Sequence, residues 1–143
     1  MNKKLNCILL IDDDEPTNFL NRMTVEEVGC VSRIEVMQDP HDALAYLKCA
    51  HQPKTTNADC PKPELIFLDI NMPAMDGWEF LQHYQQLPDN DKKSVIVIML
   101  TTSSNPEDEW KARNLPSVSE FKNKPLSAEM LREILHKYYP EVC

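Results

Sequence analysis

Short apolar runs, separated by segments of helical periodicity, constrain the fold of this chain more than any other feature. Residues 7–11, 65–68 and 95–100 are nearly all apolar. Such runs are typical of strands covered on both faces, as in a parallel sheet between layers of helices. Residues 33–37 and, more weakly, residues 120–122 complete the set. The pattern therefore predicts five strands connected through helices.

A helix-like segment follows each predicted strand. In the first segment Pro16 suits the first helical turn and Gly29 suits the end. The apolar residues between them are Phe19, Leu20, Met23 and Val28. The other helices are predicted to begin at Asp39-Pro40, after Gly77, at Asn105-Pro106 and at Ser127. Asp108, three residues after Asn105, resembles the second member of a capping box.

Apolar residues at helical spacing predict which face of a helix packs inward. The predicted inward residues are Ala43, Leu44 and Leu47 in the second helix, Trp78, Leu81 and Tyr84 in the third, and Met130 or Leu131, Ile134, Leu135 and Tyr138 in the fifth. Trp78 and Trp110 are both interpreted as packing residues. The histidines His41, His51, His83 and His136 are given no role.

The strand–helix order, repeated five times, predicts an α/β fold. Crossovers between parallel strands are almost always right-handed, which leads to a doubly wound (βα)5 three-layer sandwich. The 143 residues fit a single domain, 1–143, with its core at about residues 5–139. Residues 51–63 form a long, loop-like connection that resembles an insertion.

Charge and composition exclude several classes of function. The net charge of −8 and the pI of about 4.9 argue against nucleic acid and anionic membrane as partners, because both bind basic surfaces. No apolar run approaches the roughly 20 residues of a spanning helix. The apolar stretch near the N-terminus is too short for a signal peptide, so a cytoplasmic protein is expected. With only two glycines, Gly29 and Gly77, a glycine-rich phosphate loop is excluded.

The cysteines give no sign of a disulfide framework or a metal site. There are five of them, without a CxxC pair, and an odd number in a cytoplasmic chain predicts reduced thiols. Cys49, His51 and Cys60 could meet at a metal, but their spacing fits no zinc pattern, and a plain loop is the preferred interpretation.

Reactive or charged side chains follow four of the predicted strands. They are Asp12, Asp13 and Asp14 after the first, Asp69 after the third, Thr101, Thr102 and Ser103 after the fourth, and Lys124 after the fifth. Ligands of an open parallel sheet gather at the carboxyl ends of its strands. Crowded carboxylates repel one another unless a cation offsets their charge, and Mg²⁺ favours such oxygen ligands. The sequence therefore predicts a magnesium site at this edge, with Asp69 beside a hydroxyl and an ammonium group.

This set of groups matches phosphoryl transfer. A carboxylate can attack phosphorus while a metal and a lysine neutralise the equatorial oxygens and a hydroxyl donates to one of them. An acyl phosphate on Asp69 is the expected product.

Four segments resemble the receiver domain of two-component response regulators, of the stand-alone kind typified by the chemotaxis receiver. They are "ILLIDDDE", "LIFLDINMPAMDG", "VIMLTTSS" and "FKNKP", in matching order and spacing within residues 7–139. The resemblance implies a flavodoxin-like fold with sheet order 2-1-3-4-5. It also implies site roles: phosphoacceptor Asp69; Mg²⁺ ligands Asp12, Asp13, Asp69 and the backbone carbonyl of Asn71, with Mn²⁺ as a substitute; switch hydroxyl Thr101; phosphate-binding lysine Lys124; switch aromatic residue Phe121.

The same resemblance implies partners and a mode of action. The phosphoryl group would come from a sensor histidine kinase or a histidine phosphotransfer protein. The signal would leave by a conformational switch towards a downstream protein or by phosphorelay, and homodimerisation is left open. The chain would catalyse its own phosphorylation and dephosphorylation without a separate turnover substrate. The short tail after the fifth helix predicts that no effector domain is attached.

The sequence departs from the family pattern at three points, and two other classes of protein share some of its features. The third aspartate, Asp14, the long 51–63 connection and the missing Gly-Ala pair before the fifth strand depart from the family pattern. "IDDDEPT" nearly fits the start of haloacid-dehalogenase-like phosphatases, through Asp12 and Asp14, but leaves Asp69 unexplained. An unphosphorylated receiver-like binding module is the other alternative, and the intact set of acids argues against it.

Overall fold

The computed structural model of the chain describes residues 3–51, 60–87, 95–102 and 105–143. Its strands are β1 (Leu5–Ile11), β2 (Val31–Met37), β3 (Leu65–Asp69), β4 (Ile96–Thr101) and β5 (Glu120–Asn123). They form one parallel sheet in the order β2-β1-β3-β4-β5. The doubly wound architecture and the strand order predicted from the sequence are therefore confirmed.

The helices alternate with the strands as predicted. They are α1 (Glu15–Val28), α2 (Pro40–Ala50), α3 (Gly77–Gln85), α4 (Pro106–Asn114) and α5 (Ala128–Tyr138). Each begins after a side chain that accepts a hydrogen bond from a backbone N–H of the first turn, which offsets the unpaired donors there. These N-caps are Asp14, Asp39, Asp76, Asn105 and Ser127.

The capping box predicted at α4 is found at α3 instead. Asp76 and Glu79 cap each other's backbone N–H groups at the start of α3. At α4, Asn105 accepts from the N–H of Glu107, while Oδ1 of Asp108 accepts from the indole Nε1–H of Trp78 at 3.2 Å. The prediction failed because Asp108 has a partner on another helix, which its sequence spacing does not show.

The sheet is covered on both faces, which explains its apolar strands. Along β1, Leu9 and Ile11 belong to the core shared with α2, α3 and α4, while Ile8 and Leu10 belong to the core shared with α1 and α5. Successive side chains of a strand point to opposite faces, so a strand buried twice has no polar alternation. The predicted inward residues of α2, α3 and α5 lie in these two cores.

Helix α1 reverses the usual division between apolar and polar faces. Its buried residues are Asn18, Asn21 and Val25. Its exposed apolar residues are Phe19, Leu20 and Met23, with 62%, 60% and 49% of their surface exposed. We call these three residues the α1 apolar stripe. An exposed apolar cluster of this kind commonly marks an interaction surface.

A groove of about 440 Å³ separates α3 from α4. Trp78 and Trp110 line it, and Lys111 Nζ lies 5.7 Å from the centroid of the Trp78 ring. Trp78 is half-buried and packs on the core, as predicted. Trp110 is 66% exposed, so its assignment as a packing residue was wrong. The only buried residue of α4 is Ala112, because this short helix is mostly charged.

Four of the five cysteines form disulfides, which contradicts the expectation of reduced thiols. Cys30 is bonded to Cys143 and Cys49 to Cys60, with Cα atoms 5.7 and 6.0 Å apart. These separations lie in the range that a disulfide bridges. Cys7 is a free, buried thiol. The sequence could not show that the chain's end returns to the start of β2, 113 residues away.

The suggested metal site at Cys49, His51 and Cys60 is likewise ruled out. Both cysteines are in the disulfide, and Nε2 of the buried His51 lies 2.8 Å from the hydroxyl of Tyr84. Residues 52–59 of the long 51–63 connection lie outside the described residues. Among the residues that the structure describes, no helix is long and apolar enough to cross a membrane.

Candidate functional site

The predicted site residues converge at the carboxyl edge of the sheet. Asp12 directly follows β1, and Asp69 is the last residue of β3, its neighbour in the sheet. Thr101 ends β4 and pairs with Asn123, which precedes Lys124. Because all five strands run in the same direction, residues far apart in the sequence are brought to one edge.

Lys124 joins the two buried carboxylates. Its Nζ donates to Oδ2 of Asp12 at 2.7 Å and lies 3.0 Å from Oδ1 of Asp69. Asp12 and Asp69 are 2% and 4% exposed, so water screens these charges poorly. Asp12, Asp13 and Asp69 offer carboxylate oxygens that all lie within 4.8 Å of one another.

The shared environment shifts the pKa values of Asp69 and Lys124. Burial, together with the charge of Asp12, raises the pKa of Asp69 to about 6, although the hydrogen bond from Lys124 opposes the shift. Burial alone would lower the pKa of Lys124, but its bonds to Asp12 and Asp69 raise it above the ordinary value. One ammonium therefore offsets the crowded acids only in part.

The donor set fits a hard divalent cation. Three carboxylates beside one ammonium leave an excess of negative charge in a mostly buried place, and all three provide the oxygen ligands that Mg²⁺ takes. Burial first, and the charge of Asp12 with it, raise the pKa of Asp69 against the opposing hydrogen bond from Lys124. A divalent cation would offset the repulsion and lower that pKa.

Asp14, the third acid of the triple, is committed to a structural role. Its carboxylate accepts from the backbone N–H of Thr17 at 3.1 Å and from the Thr17 hydroxyl, which caps α1. Asp13 is half-buried and Asp14 is exposed. The family resemblance implies Asp12 and Asp13 as ligands, and their carboxylates lie close to that of Asp69; the D-x-D interpretation through Asp14 has no support here.

Gly77 fixes the distance between α3 and the end of β3, which the sequence interpretation missed. A Cβ atom at Gly77 would lie 2.9 Å from the carbonyl oxygen of Asp69 and 2.9 Å from Cε of Met99. Such contacts are too close, so only glycine fits. On the other side of Asp69, the Asn71 N–H lies 3.4 Å from Oδ1 of Asp69. The backbone around the acid is therefore held tightly.

The groups assigned to the switch lie on β4 and β5. Thr101 is fully buried and Thr102 is exposed, so Thr101 is the hydroxyl inside the molecule; Ser103 lies outside the described residues. Phe121 pairs with Met99 across β4 and β5 and is half-buried against the core. Thr101 thus ends β4, the neighbour of β3, Phe121 lies on β5, and Lys124 directly follows β5.

A parallel β2-β1-β3-β4-β5 sheet with acids at its carboxyl edge and a lysine between them defines a chemotaxis-receiver-type α/β protein. The model of the response regulator receiver domain matches residues 8–136, and the chain belongs to that family, whose members are signalling phosphoacceptors. Response regulator Rcp1 from Synechocystis is 36% identical over 105 residues, which cover 71% of this chain and 65% of that protein.

Solved structures agree with the family assignment. A two-component response regulator from Cytophaga hutchinsonii superposes with a TM-score of 0.83 and 31% identity, covering 97% of this chain and 100% of that one. The Mn²⁺-bound form of Rcp1 superposes with a TM-score of 0.67 and 25% identity, covering 93% of both chains.

Proposed function

We propose that Asp69 accepts a phosphoryl group from a histidine of another protein, in a reaction that requires Mg²⁺. Asp12, Asp13, Asp69 and the backbone carbonyl of Asn71 would hold the cation. The observation that carries the proposal is the position of Lys124 Nζ, 3.0 Å from Asp69 and 2.7 Å from Asp12. A lysine in this position can bind the carboxylate of Asp69 before the transfer and the oxygens of the phosphate on Asp69 after it.

Each group of the site has a part in this transfer. An oxygen of Asp69 forms a bond to phosphorus, and the bond from phosphorus to the donor nitrogen breaks, with its electron pair staying on nitrogen. Lys124 Nζ and the Thr101 hydroxyl donate to oxygens of the transferred group. Bound Mg²⁺, or Mn²⁺ in its place, supplies positive charge next to those oxygens. Hydrolysis at the same site would return Asp69 to its free form, without a separate turnover substrate.

The α1 apolar stripe supports docking of the phosphodonor. Helix α1 begins directly after the Asp12–Asp14 acids, and its residues Phe19, Leu20 and Met23 are exposed. A sensor histidine kinase or a histidine phosphotransfer protein could bury this stripe and bring its histidine to Asp69. A cytoplasmic location is proposed together with these partners.

The output would be a shift between two conformations. A phosphate on Asp69 draws Thr101 and Lys124 towards it, and the space near Thr101 could then admit Phe121. The surface formed by α4, β5 and α5, around Trp110, Phe121 and Lys122, would present the change to a downstream protein. Relay of the phosphoryl group to another histidine protein is the second output, and a homodimer through the same surface is compatible with both. The net charge of −8 argues against nucleic acid as the direct target.

Labelling by a small-molecule phosphodonor tests the assignment of Asp69. The wild-type chain should be labelled only with Mg²⁺ or Mn²⁺, and Asp69→Asn should not be labelled, because an amide is not a nucleophile. Asp76→Asn is the matched control, since asparagine also caps a helix and Asp76 lies outside the acid set. Labelling of Asp69→Asn at the wild-type rate would show that the assignment is wrong. An unlabelled wild type would favour the unphosphorylated binding module.

A further inference from the structure

Asn18 is a polar residue in an unexpected place. It lies on the inward face of α1 and is only 4% exposed. Its Oδ1 is the one buried side-chain nitrogen or oxygen atom within the described part of the chain that has no hydrogen-bond partner. A buried acceptor without a donor destabilises a fold, so an apolar residue would be expected at such a position.

The other end of the same amide contacts the acid site. Nδ2 of Asn18 donates to the backbone carbonyl of Asp12 at 2.7 Å. A carbonyl oxygen can only accept, so the amide must present its NH₂ group there, and Oδ1 then points to a place where the described residues offer no donor. The residue therefore keeps a contact with Asp12 while leaving its own oxygen unsatisfied.

The hydrogen bond from Asn18 restrains Asp12 at the end of β1, where repulsion between the carboxylates favours their separation. The backbone N–H of Asp12 donates to the carbonyl oxygen of Met37. The carboxylate of Asp12 accepts from the backbone N–H of Asp14 through Oδ1 and from Nζ of Lys124 through Oδ2. Asn18 adds a restraint from the second turn of α1. Asp12, Asp13 and Asp69 carry like charges within 4.8 Å. Carboxylates in this arrangement bind a cation well only when they are fixed before it arrives.

We infer that Asn18 is a positioning residue of the cation site: it holds Asp12 in a cation-binding geometry at the expense of a buried, unsatisfied oxygen. The inference deepens the proposed function and rests on it. It predicts that one substitution lowers cation affinity without a comparable change in stability, because removing the amide removes the unsatisfied oxygen and the restraint on Asp12, while the Asp12 carbonyl loses its donor. A residue with a merely structural role would lose stability and cation affinity together.

The decisive variant is Asn18→Leu, whose side chain branches at the same carbon without polar atoms. Its melting temperature without Mg²⁺ should stay close to that of the wild type, because the loss of the unsatisfied Oδ1 and the loss of the donor to the Asp12 carbonyl offset each other. Its Mg²⁺ dissociation constant, measured by calorimetry on the unphosphorylated chain, should rise about tenfold, the lower end of the loss typical for residues that orient metal ligands. Asn18→Ala, which cannot overpack, should show the same weakening.

Asn21→Leu is the matched control. Asn21 is 5% exposed and lies one turn further along the same face of α1, and the structure records no hydrogen bond from it to Asp12. Its Mg²⁺ affinity should equal that of the wild type. Unchanged affinity in both Asn18 variants, or an equal loss in Asn21→Leu, would overturn the inference. If the wild type itself bound no Mg²⁺, the proposed function would fail instead, so the two failures are distinguishable.

Discussion

Asp69 has to be an anion to act as a nucleophile, and the surroundings of its carboxylate oppose that charge. Its pKa is raised to about 6 by burial and by the charge of Asp12. The unfolded chain releases the same proton at a pH of about 4. The folded state therefore binds the proton more tightly, and the stability that this binding provides is lost as the pH rises from about 4 to about 6.

Asp69→Asn should therefore stabilise the fold at neutral pH in the absence of a divalent cation. The amide carries no charge, so the variant avoids the repulsion from Asp12. We expect the free energy of unfolding at pH 7 to rise by about 3 kcal/mol, a value that follows from a shift of about two pKa units. The gain should shrink strongly towards pH 4, where Asp69 is neutral in the folded state and about half neutral in the unfolded state. Urea titrations at pH 4 and pH 7 measure it, and a gain that does not depend on pH would contradict the raised pKa.

Substitutions at the neighbouring aspartates Asp13 and Asp14 should have different effects, one mainly on cation binding and the other mainly on stability. Asp14→Ala removes the cap of α1 and should cost about 1 kcal/mol of unfolding free energy, while Mg²⁺ affinity stays close to that of the wild type. Asp13→Ala removes a carboxylate of the acid cluster and should weaken Mg²⁺ binding at little cost in stability. The reverse result, with Mg²⁺ affinity lost in Asp14→Ala alone, would move the cation site to Asp14.

The sequence predicted the acid site well because one geometric rule places it. Parallel strands end at one edge, so Asp12, Asp69, Thr101 and Lys124 had to be neighbours wherever the helices lay. The rule does not predict the positions of the side chains at the start of α1. Whether Asp14 faces a cation or caps a helix, and whether Asn18 faces inward, depends on the rotation of α1. That rotation is set by packing against the sheet and is not visible in local spacing.

Helix α1 shows where an apolar pattern can mislead. Its apolar residues mark a helix, but Phe19, Leu20 and Met23 are exposed, while Asn18 and Asn21 are buried. Hydrophobic periodicity normally identifies the face that packs on the core. A helix whose apolar residues bind a partner shows the same periodicity, but its apolar face points away from the core. Only the structure distinguishes the two cases.

Polar substitutions in the α1 apolar stripe should slow transfer from a protein donor without affecting the chemistry. We expect Phe19→Ser together with Leu20→Ser to reduce phosphotransfer from the cognate histidine protein about tenfold or more, because buried apolar contacts contribute strongly to such interfaces. Labelling by a small-molecule phosphodonor should be unchanged. The same two measurements on Trp110→Ser, which changes an exposed apolar residue on α4, provide the control. An equal loss with both donors would mean that the stripe supports the site and not the docking.

Two disulfides tie distant parts of the chain together. The bond between Cys30 and Cys143 spans 113 residues and the bond between Cys49 and Cys60 spans 11. The expectation of free thiols rested on counting cysteines and on the inferred compartment. Neither argument contains the tertiary information that Cys143 lies beside the start of β2, so this part of the molecule was beyond prediction.

Reduction should therefore lower stability markedly. In the chain-entropy account a disulfide across a loop of 113 residues contributes about 5 kcal/mol, and one across the loop of 11 residues about 3 kcal/mol. Urea unfolding with and without a reductant measures the total, and Cys143→Ser isolates the longer bond. A variant lacking both Cys143 and Cys49 should not respond to reductant. If reduction left the wild-type unfolding free energy unchanged, the bonds would not form in solution.

The groove between α3 and α4 gives the protein an optical signal of its own. The chain contains two tryptophans, Trp78 and Trp110, and both line that one groove. Trp78 follows Gly77, whose backbone packs closely against Asp69. The indole Nε1–H of Trp78 donates to Asp108 at the start of α4. All tryptophan emission therefore originates in the groove between α3, which packs against the proposed phosphoacceptor Asp69 through Gly77, and α4, a part of the proposed output surface. A change of state at Asp69 can be followed by the fluorescence of the unmodified chain, and the single replacements Trp78→Phe and Trp110→Phe would assign the signal to one side of the groove.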